Sequence, residues 1–464
     1  MSLTEAPATP APAVTTTSRV LLVAAGAAFL ALLDTTVANL AVADVRSDFP
    51  GASVGAATWL ITIYAVVFAA LLAPAGRVAD VVGRRTLLLA GVAAFTAFSL
   101  ACALAPSLEL LLVSRAFQGA AAAAMIPASL AVVLMDAPPE RRAAAIGLWS
   151  AAGALAAAAG PAIGGVLVDT VGWRALFLVN VPVGLAIVAG TRLIPRSAPR
   201  RQRLPDAVGT LLLGAGIAAA ALGISQGPEW GWSDPRTLGL LAGAVLAVAA
   251  ALWRSRRHPV PAIETGLWRS RRFATANLAS LLYGAALFPW MLVGVLFLIG
   301  VWGYSPLEAG LAMTPGALIA AVVALRAGPV VARRGPWPVI AGGALVLASA
   351  GLIFILGATE TPQFLALWLP LAVPIGIGTG AITTGVSTAA ALSVSPERFA
   401  AAVGLNQTGR QIGGALGIAV LAALLADLGP GDGLGPYRDV YVFCTLTTLA
   451  VALTALWLVW KEQR

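Results

Sequence analysis

The chain alternates long apolar runs with short polar gaps. A helix needs about 20 mainly apolar residues to cross a bilayer. Fourteen such segments are predicted, at 20–42, 55–76, 86–105, 108–135, 140–168, 173–194, 206–226, 236–254, 273–300, 307–331, 337–357, 364–392, 398–427 and 438–460. The basic residues test this count. With both termini on one side, most of the 29 Lys and Arg fall in gaps on that side, among them Arg77, Arg84, Arg85, Arg200 and Arg257. Arg46, Arg174, Arg236 and Arg438 fall opposite, and Arg115 and Arg410 stay within spans. Positive loops mark the cytoplasmic face, so both termini are expected there. A missed or extra span would invert every loop after it.

Two repeats cut across the pattern. Pro139–Leu148 and Pro396–Leu405 differ only at Arg142 against Phe399 and Ile146 against Val403. A weaker pair sets Ala75–Gly83 against Ala327–Gly335. Both pairs open or close helices on the same face, so the repeats are parallel, as in transporters built from two like-oriented six-helix halves. The expected organisation is a disordered cytoplasmic tail at 1–18, a six-helix bundle at 19–194, an inserted pair of spans at 195–258 and a second six-helix bundle at 259–464. The tail is rich in Ala, Pro and Thr and lacks the basic start and apolar core of a signal peptide.

Composition narrows the function. The 464 residues are 59% hydrophobic and 11% charged, with mean hydropathy +0.90. Soluble domains carry roughly 25% charged residues, so the chain is expected to be an all-α polytopic membrane protein. The net charge of +9 is scattered through short loops and reads as topology, not as a nucleic-acid surface. Lys461 is the sole lysine, which excludes a Gly-Lys-Ser/Thr phosphate loop and leaves no mid-chain Schiff base. Cys102 and Cys444 lie in apolar segments and read as buried small hydrophobes. His258 stands alone in an Arg-rich loop. No metal and no cofactor are expected.

Against this background Asp34 stands out, the carboxylate set mid-span in Phe29–Asn39. A charge at the bilayer centre costs at least a few kcal/mol, and such residues are usually functional. Ala27, Ala31, Ala38 and Ala41 share its helical face and leave room beside it. A protonatable group there suits proton coupling; a structural Asp paired permanently with Arg is the competing reading. Arg115 is the natural partner. Counted from Asp44 and Glu109 at 1.5 Å per residue, the two lie about 15 Å and 9 Å deep. Gln118, a turn on, extends a polar network. An Arg that only braces backbone carbonyls is the alternative.

Several motifs resemble those of the major facilitator superfamily, and of its fourteen-span drug:proton antiporter family in particular. Gly76-Arg-Val-Ala-Asp80-Val-Val-Gly83-Arg84-Arg85 resembles the loop 2–3 signature, and Leu33-Asp34-Thr-Thr-Val-Ala-Asn39 the first-helix signature. Arg115-Ala-Phe-Gln118-Gly119 resembles the fourth-helix signature. Gly160-Pro161-Ala-Ile-Gly164-Gly165, with Trp173-Arg174 and Asn180-Val-Pro182 after it, resembles the fifth-helix antiporter signature and its sequel. Gly404–Gly414 is similar to the family's penultimate helix. Ala43, Val81 and Ala156 depart from the family pattern, and Val81 replaces a basic residue usual in loop 2–3.

The resemblance implies the major facilitator fold: two six-helix bundles plus two inserted linker helices, fourteen transmembrane helices in all. It implies a proton-coupled antiporter exporting hydrophobic or amphipathic drugs or antibiotics across the bacterial plasma membrane, and not an enzyme. A metabolite exporter or uptake symporter is the alternative on the same fold; a membrane enzyme or a sensor is remoter. Asp34 and Arg115 are expected to couple protons, and Gly76, Asp80, Gly83, Arg84 and Arg85 to gate. Asp80 is suited to pair with Arg or to cap a helix of the other half. Gly160, Pro161, Gly164 and Gly165 are expected to pack the antiporter helix closely. Asn39, Trp59, Tyr64, Gln118, Trp149, Phe288, Trp290, Asn406 and Arg410 are candidate substrate contacts, with interfacial or packing roles as the rival reading for the aromatics. The expected partners are the bilayer, protons and a small-molecule substrate, with no nucleic acid, and the protein is expected to be a monomer. A lone carboxylate disfavours dications and points to neutral or monovalent substrates.

Overall fold

A computed structural model describes residues 15–49, 54–194, 205–425 and 433–462. The tail expected at 1–18 falls outside them up to residue 14, and the first helix starts at Thr15. Among the described residues the secondary structure is helical throughout, with no strand.

Fourteen long helices follow in order: α1 Thr15–Val37, α2 Val54–Val82, α3 Arg84–Ala103, α4 Leu108–Asp136, α5 Arg142–Val171, α6 Arg174–Leu193, α7 Ala207–Trp230, α8 Pro235–Ser255, α9 Arg271–Gly300, α10 Pro306–Arg334, α11 Pro336–Gly357, α12 Phe364–Leu392, α13 Phe399–Leu424 and α14 Gly435–Glu462. Thirteen of them are long and apolar enough to cross a membrane. The remaining one, α13, has the length at 26 residues but carries Asn406, Gln407, Arg410 and Gln411 along its middle. Its polar residues face protein, so apolarity alone understates its place in the bundle.

Local signals explain the helix boundaries. Ser107 accepts from Leu110 N at 3.3 Å and starts α4. A Ser305/Glu308 capping box starts α10. Gly83 between α2 and α3 has φ 112°, and Gly335 between α10 and α11 has φ 79°. These glycines end the weaker sequence repeat, and the positive φ that each tight turn needs favours a residue without Cβ.

The two halves meet reciprocally. The second helix of each half packs on the fifth of the other: α2 on α13, and α10 on α5. The approach is backbone to backbone. A Cβ on Gly76 would overlap the Ala400 carbonyl, and one on Gly404 the Leu72 carbonyl. Across the pseudo-two-fold, a Cβ on Gly328 would come 2.6 Å from the Ala143 carbonyl and one on Gly147 2.5 Å from the Ala324 carbonyl. The four glycines come from the two repeats, so the repeats encode the seam between halves. α7 and α8 pack on each other, and α7 lies against α2 and α13 at the edge of this seam.

Candidate functional site

Asp34 sits on α1 four residues before the helix tightens at Ala38–Ala41. It is fully buried among α1, α3, α4 and α6. Arg115 of α4 donates from Nη1 to Asp34 Oδ2 at 2.6 Å. Gln118, one turn further on α4, donates from Nε2 to Oδ1 at 3.0 Å, and Asn180 of α6 donates to the same oxygen at 2.8 Å. The carboxylate thus accepts three hydrogen bonds from two helices. Oδ1 accepts two of these bonds and Oδ2 only one, so Oδ2 keeps a lone pair on which a proton could land.

The donors are held in turn. Arg115 Nη1 also donates to Gln118 Oε1 at 2.7 Å, and its Nε to the Leu60 carbonyl of α2 at 3.1 Å. Its guanidinium lies 4.2 Å from the Tyr64 ring centroid and 5.5 Å from that of Phe177. Ser99 of α3 accepts from Gln118 at 2.7 Å and from Asn180 at 3.4 Å. Asn180 Oδ1 is buried with no partner among the described residues. A buried ion pair is stable only when its remaining bonds are satisfied. Here four helices supply them, so a change at the carboxylate is felt by α1, α2, α3, α4 and α6 together.

The structure brings Asp34, Arg115, Gln118 and Tyr64 into one cluster. Asn180 joins them through a contact that spans 146 residues. Its sequence signal was the Asn180-Val-Pro182 stretch inside the predicted span 173–194. Beside the cluster, Gly160 of α5 faces Thr36 of α1, two residues past Asp34, so closely that a Cβ would overlap the threonine hydroxyl. Pro161 packs across the seam at Gly310 of α10, and Gly165 faces Leu307. Gly164 is buried.

Around Asp80 a second cluster forms at the Arg-rich end of the bundle. Asp80 Oδ1 accepts from Ala400 N at 3.3 Å and Oδ2 from Ala401 N at 2.8 Å, which caps the start of α13 in the opposite half. Arg84 donates to Asp80 at 2.6 Å and also bonds the Pro396 carbonyl across the seam. Asp80 therefore does both things expected of it, pairing and capping. Arg85 turns away and donates to the Thr191 carbonyl of α6 at 3.0 Å. In the other half, Ala332 occupies the position equivalent to Asp80, so the carboxylate latch is one-sided.

The expected substrate wall does not assemble as one surface. Trp290 is 3% exposed and edge-on to Tyr441 inside the second half. Trp149 is buried and donates to Ser129 Oγ at 3.0 Å. Tyr64 is buried over Arg115, with its hydroxyl donating to the Ala31 carbonyl at 3.3 Å. Asn406 ties α13 to α9 through the Ala276 carbonyl and Ser280. Trp59, Phe288 and Arg410 are half-buried. The side chain of Asn39 lies outside the described residues. No group of three or more potential metal ligands occurs among the described residues.

The sequence profile of the Major Facilitator Superfamily matches residues 24–418 and 302–464. The chain is 35% identical over 411 residues to the tetracenomycin C resistance and export protein of Streptomyces glaucescens, covering 88% of this chain and 75% of that protein. It is 33% identical over 446 residues to the cephamycin export protein CmcT of Amycolatopsis lactamdurans, covering 94% of this chain and 92% of that protein. Its fold is similar to the crystal structure of the human organic anion transporter MFSD10 (TETRAN), with TM-score 0.67 at 15% identity over 95% of this chain and 99% of the other.

Proposed function

The chain belongs to the major facilitator superfamily, and from that premise we propose that it is a proton-coupled antiporter exporting hydrophobic or amphipathic compounds, antibiotics among them. The family and the fold are those of a transporter and not of an enzyme. The observation that carries the reading is the buried Asp34 carboxylate held by Arg115, Gln118 and Asn180. Relatives named for tetracenomycin C and cephamycin export support the substrate class.

In this reading the Arg-rich end of the bundle, with both termini, faces the cytoplasm, and the protein works as a monomer in the bacterial plasma membrane. The bundles 19–194 and 259–464 rock about the glycine seam, and 195–258 is an insert beside it. A proton entering from outside takes the open lone pair of Asp34 Oδ2 and neutralises the carboxylate, which weakens its hold on Arg115 and leaves that side chain to Gln118, Leu60 and Tyr64. That rearrangement pulls on α1 and α4 and favours the state open to the cytoplasm. Asp80, Gly76, Gly83, Arg84 and Arg85 hold the cytoplasmic end shut until then. Gly160, Pro161, Gly164 and Gly165 keep α5 tight on α1 and α10, which limits proton leak.

The test is a susceptibility and accumulation panel in a bacterium stripped of its own efflux pumps. Expression of the wild-type chain is expected to raise resistance to at least one hydrophobic or amphipathic antibiotic and to lower its cellular level. Resistance should vanish with an uncoupler. No change for any compound would contradict the exporter reading, and accumulation raised by the protein would favour an uptake symporter.

A further inference from the structure

Arg410 lies on α13 where three helices of the second half converge. Four residues before it, Asn406 meets Ser280 of α9 at 3.2 Å. Four residues after it, Gly414 faces Phe288 of α9 so closely that a Cβ would overlap the ring. Arg410 therefore overlies the stretch of α9 between those contacts, beside Tyr283. The Tyr283 hydroxyl is 2.9 Å from Thr383 Oγ1 and bonds the Thr379 carbonyl of α12 at 3.3 Å. α12 and α13 also touch α5 and α4 of the first half, so this corner lies beside the contact between the halves.

The guanidinium of Arg410 is half-buried and, among the described residues, pairs with no carboxylate and bonds no acceptor. Arg115 makes the contrast: it has Asp34, Gln118, the Leu60 carbonyl and two aromatic rings. A guanidinium in a membrane interior is costly unless something pairs with it. A brace role would show a carbonyl contact, and among the described residues Arg410 has none. Gln407, three residues before it on α13, is buried. The formal charges decide the sign. Asp34 and Arg115 cancel within their pair, whereas among the described residues no carboxylate pairs with Arg410.

We propose that Arg410 anchors an anionic group of the substrate, so that the exported compounds are amphipathic monoanions such as carboxylates, phenolates or sulfonates. The planar guanidinium suits a bidentate contact with such a group, and the half-buried Phe288 one turn away offers an apolar neighbour for the body of the molecule. The proposal deepens the exporter reading and rests on it for its biological meaning. Its test, however, reads binding alone.

The experiment is isothermal titration of the purified full-length protein in detergent with three probes of one shape: 1-naphthalenesulfonate, the neutral 1-naphthalenesulfonamide, and trimethyl(1-naphthylmethyl)ammonium. The wild type is expected to bind the sulfonate most tightly. Arg410→Gln should weaken sulfonate binding by about tenfold or more, as loss of a charge-assisted contact does, and leave the sulfonamide unchanged. Arg410→Lys should restore part of the difference. Equal effects of Arg410→Gln on both probes, preference for the ammonium, or no binding of the sulfonate by the wild type would overturn the assignment. If Arg410→Gln does not fold, Arg410→Lys decides: weaker sulfonate binding with the sulfonamide unchanged supports the anchor, and unchanged sulfonate binding or an equal effect on both probes contradicts it. Anion binding without any vesicle transport would instead count against the exporter reading and leave Arg410's role standing.

Discussion

At the scale of single residues, the proposed coupling turns on one carboxylate that three donors hold and a proton would neutralise. Arg115, Gln118 and Asn180 fill Asp34 from two helices, and Ser99 fixes the two amides. A hydrogen bond to a charged group contributes about 1.5–3 kcal/mol. Asn180→Leu is therefore expected to slow gradient-driven export by about tenfold or more, with Asp34 intact and insertion normal, as read by export assays beside a folding control. Export at the wild-type rate would remove Asn180 from the coupling network. Asp34, Arg115 and Gln118 were legible in the sequence because ionisable or amide groups inside apolar spans are few, and because Arg115 and Gln118 share one helical face. Asn180 was not, since its partner lies on another helix and an amide near a span's start reads equally as a cap. Trp290 shows where the sequence is silent. An aromatic residue in a membrane span carries no sign of which way it points, and this one points into the core with Tyr441.

At the scale of elements, close approach sets the geometry. α5 presents Gly160 to Thr36 of α1, beside the Asp34 turn. Gly160→Val is expected to push α1 outward and to dissipate a pH gradient without substrate, measured as passive proton leak in proteoliposomes. Unchanged leak would confine that glycine to packing. The α7–α8 hairpin is tied by Arg254, whose Nη2 donates to Asp206 Oδ1 at 2.9 Å. These bonds hold the Asp206 carboxyl below its ordinary value. A depressed folded value means the stabilisation is present above the unfolded value of about 3.9 and is lost as pH falls through the folded one. Asp206→Asn should thus lower the thermal midpoint at neutral pH, and the difference should shrink on acidification. Helix number and order were legible from apolar runs and basic loops. α13 was read as a span although its amides and Arg410 dilute its apolarity, because the loop charges on either side require a crossing there.

For the whole molecule, two glycine repeats build a symmetric seam, and one carboxylate breaks the symmetry. Gly76 and Gly404 mirror Gly328 and Gly147, but only the first half carries Asp80 to cap the opposite bundle. Asp80→Asn keeps a cap acceptor and removes the charge that pairs with Arg84. It is expected to expose the seam at the Arg-rich end. An Ala401→Cys reporter, placed in a background without Cys102 and Cys444, should react several-fold faster with an impermeant maleimide from that side. An unchanged rate would mean that the glycine packing alone holds the end shut. The repeat was visible in the sequence, but its function as a backbone seam needed the three-dimensional pairing of Gly76 with Ala400 and Gly404 with Leu72.

The central claim is that proton entry at Asp34 drives export, and inverted vesicles carrying an imposed pH gradient test it most directly. Adding a substrate found in the susceptibility panel should dissipate the gradient for the wild type. Asp34→Asn, inserted to the same level, should leave the gradient intact and still bind substrate. Substrate-dependent dissipation by Asp34→Asn at the wild-type rate would contradict the account.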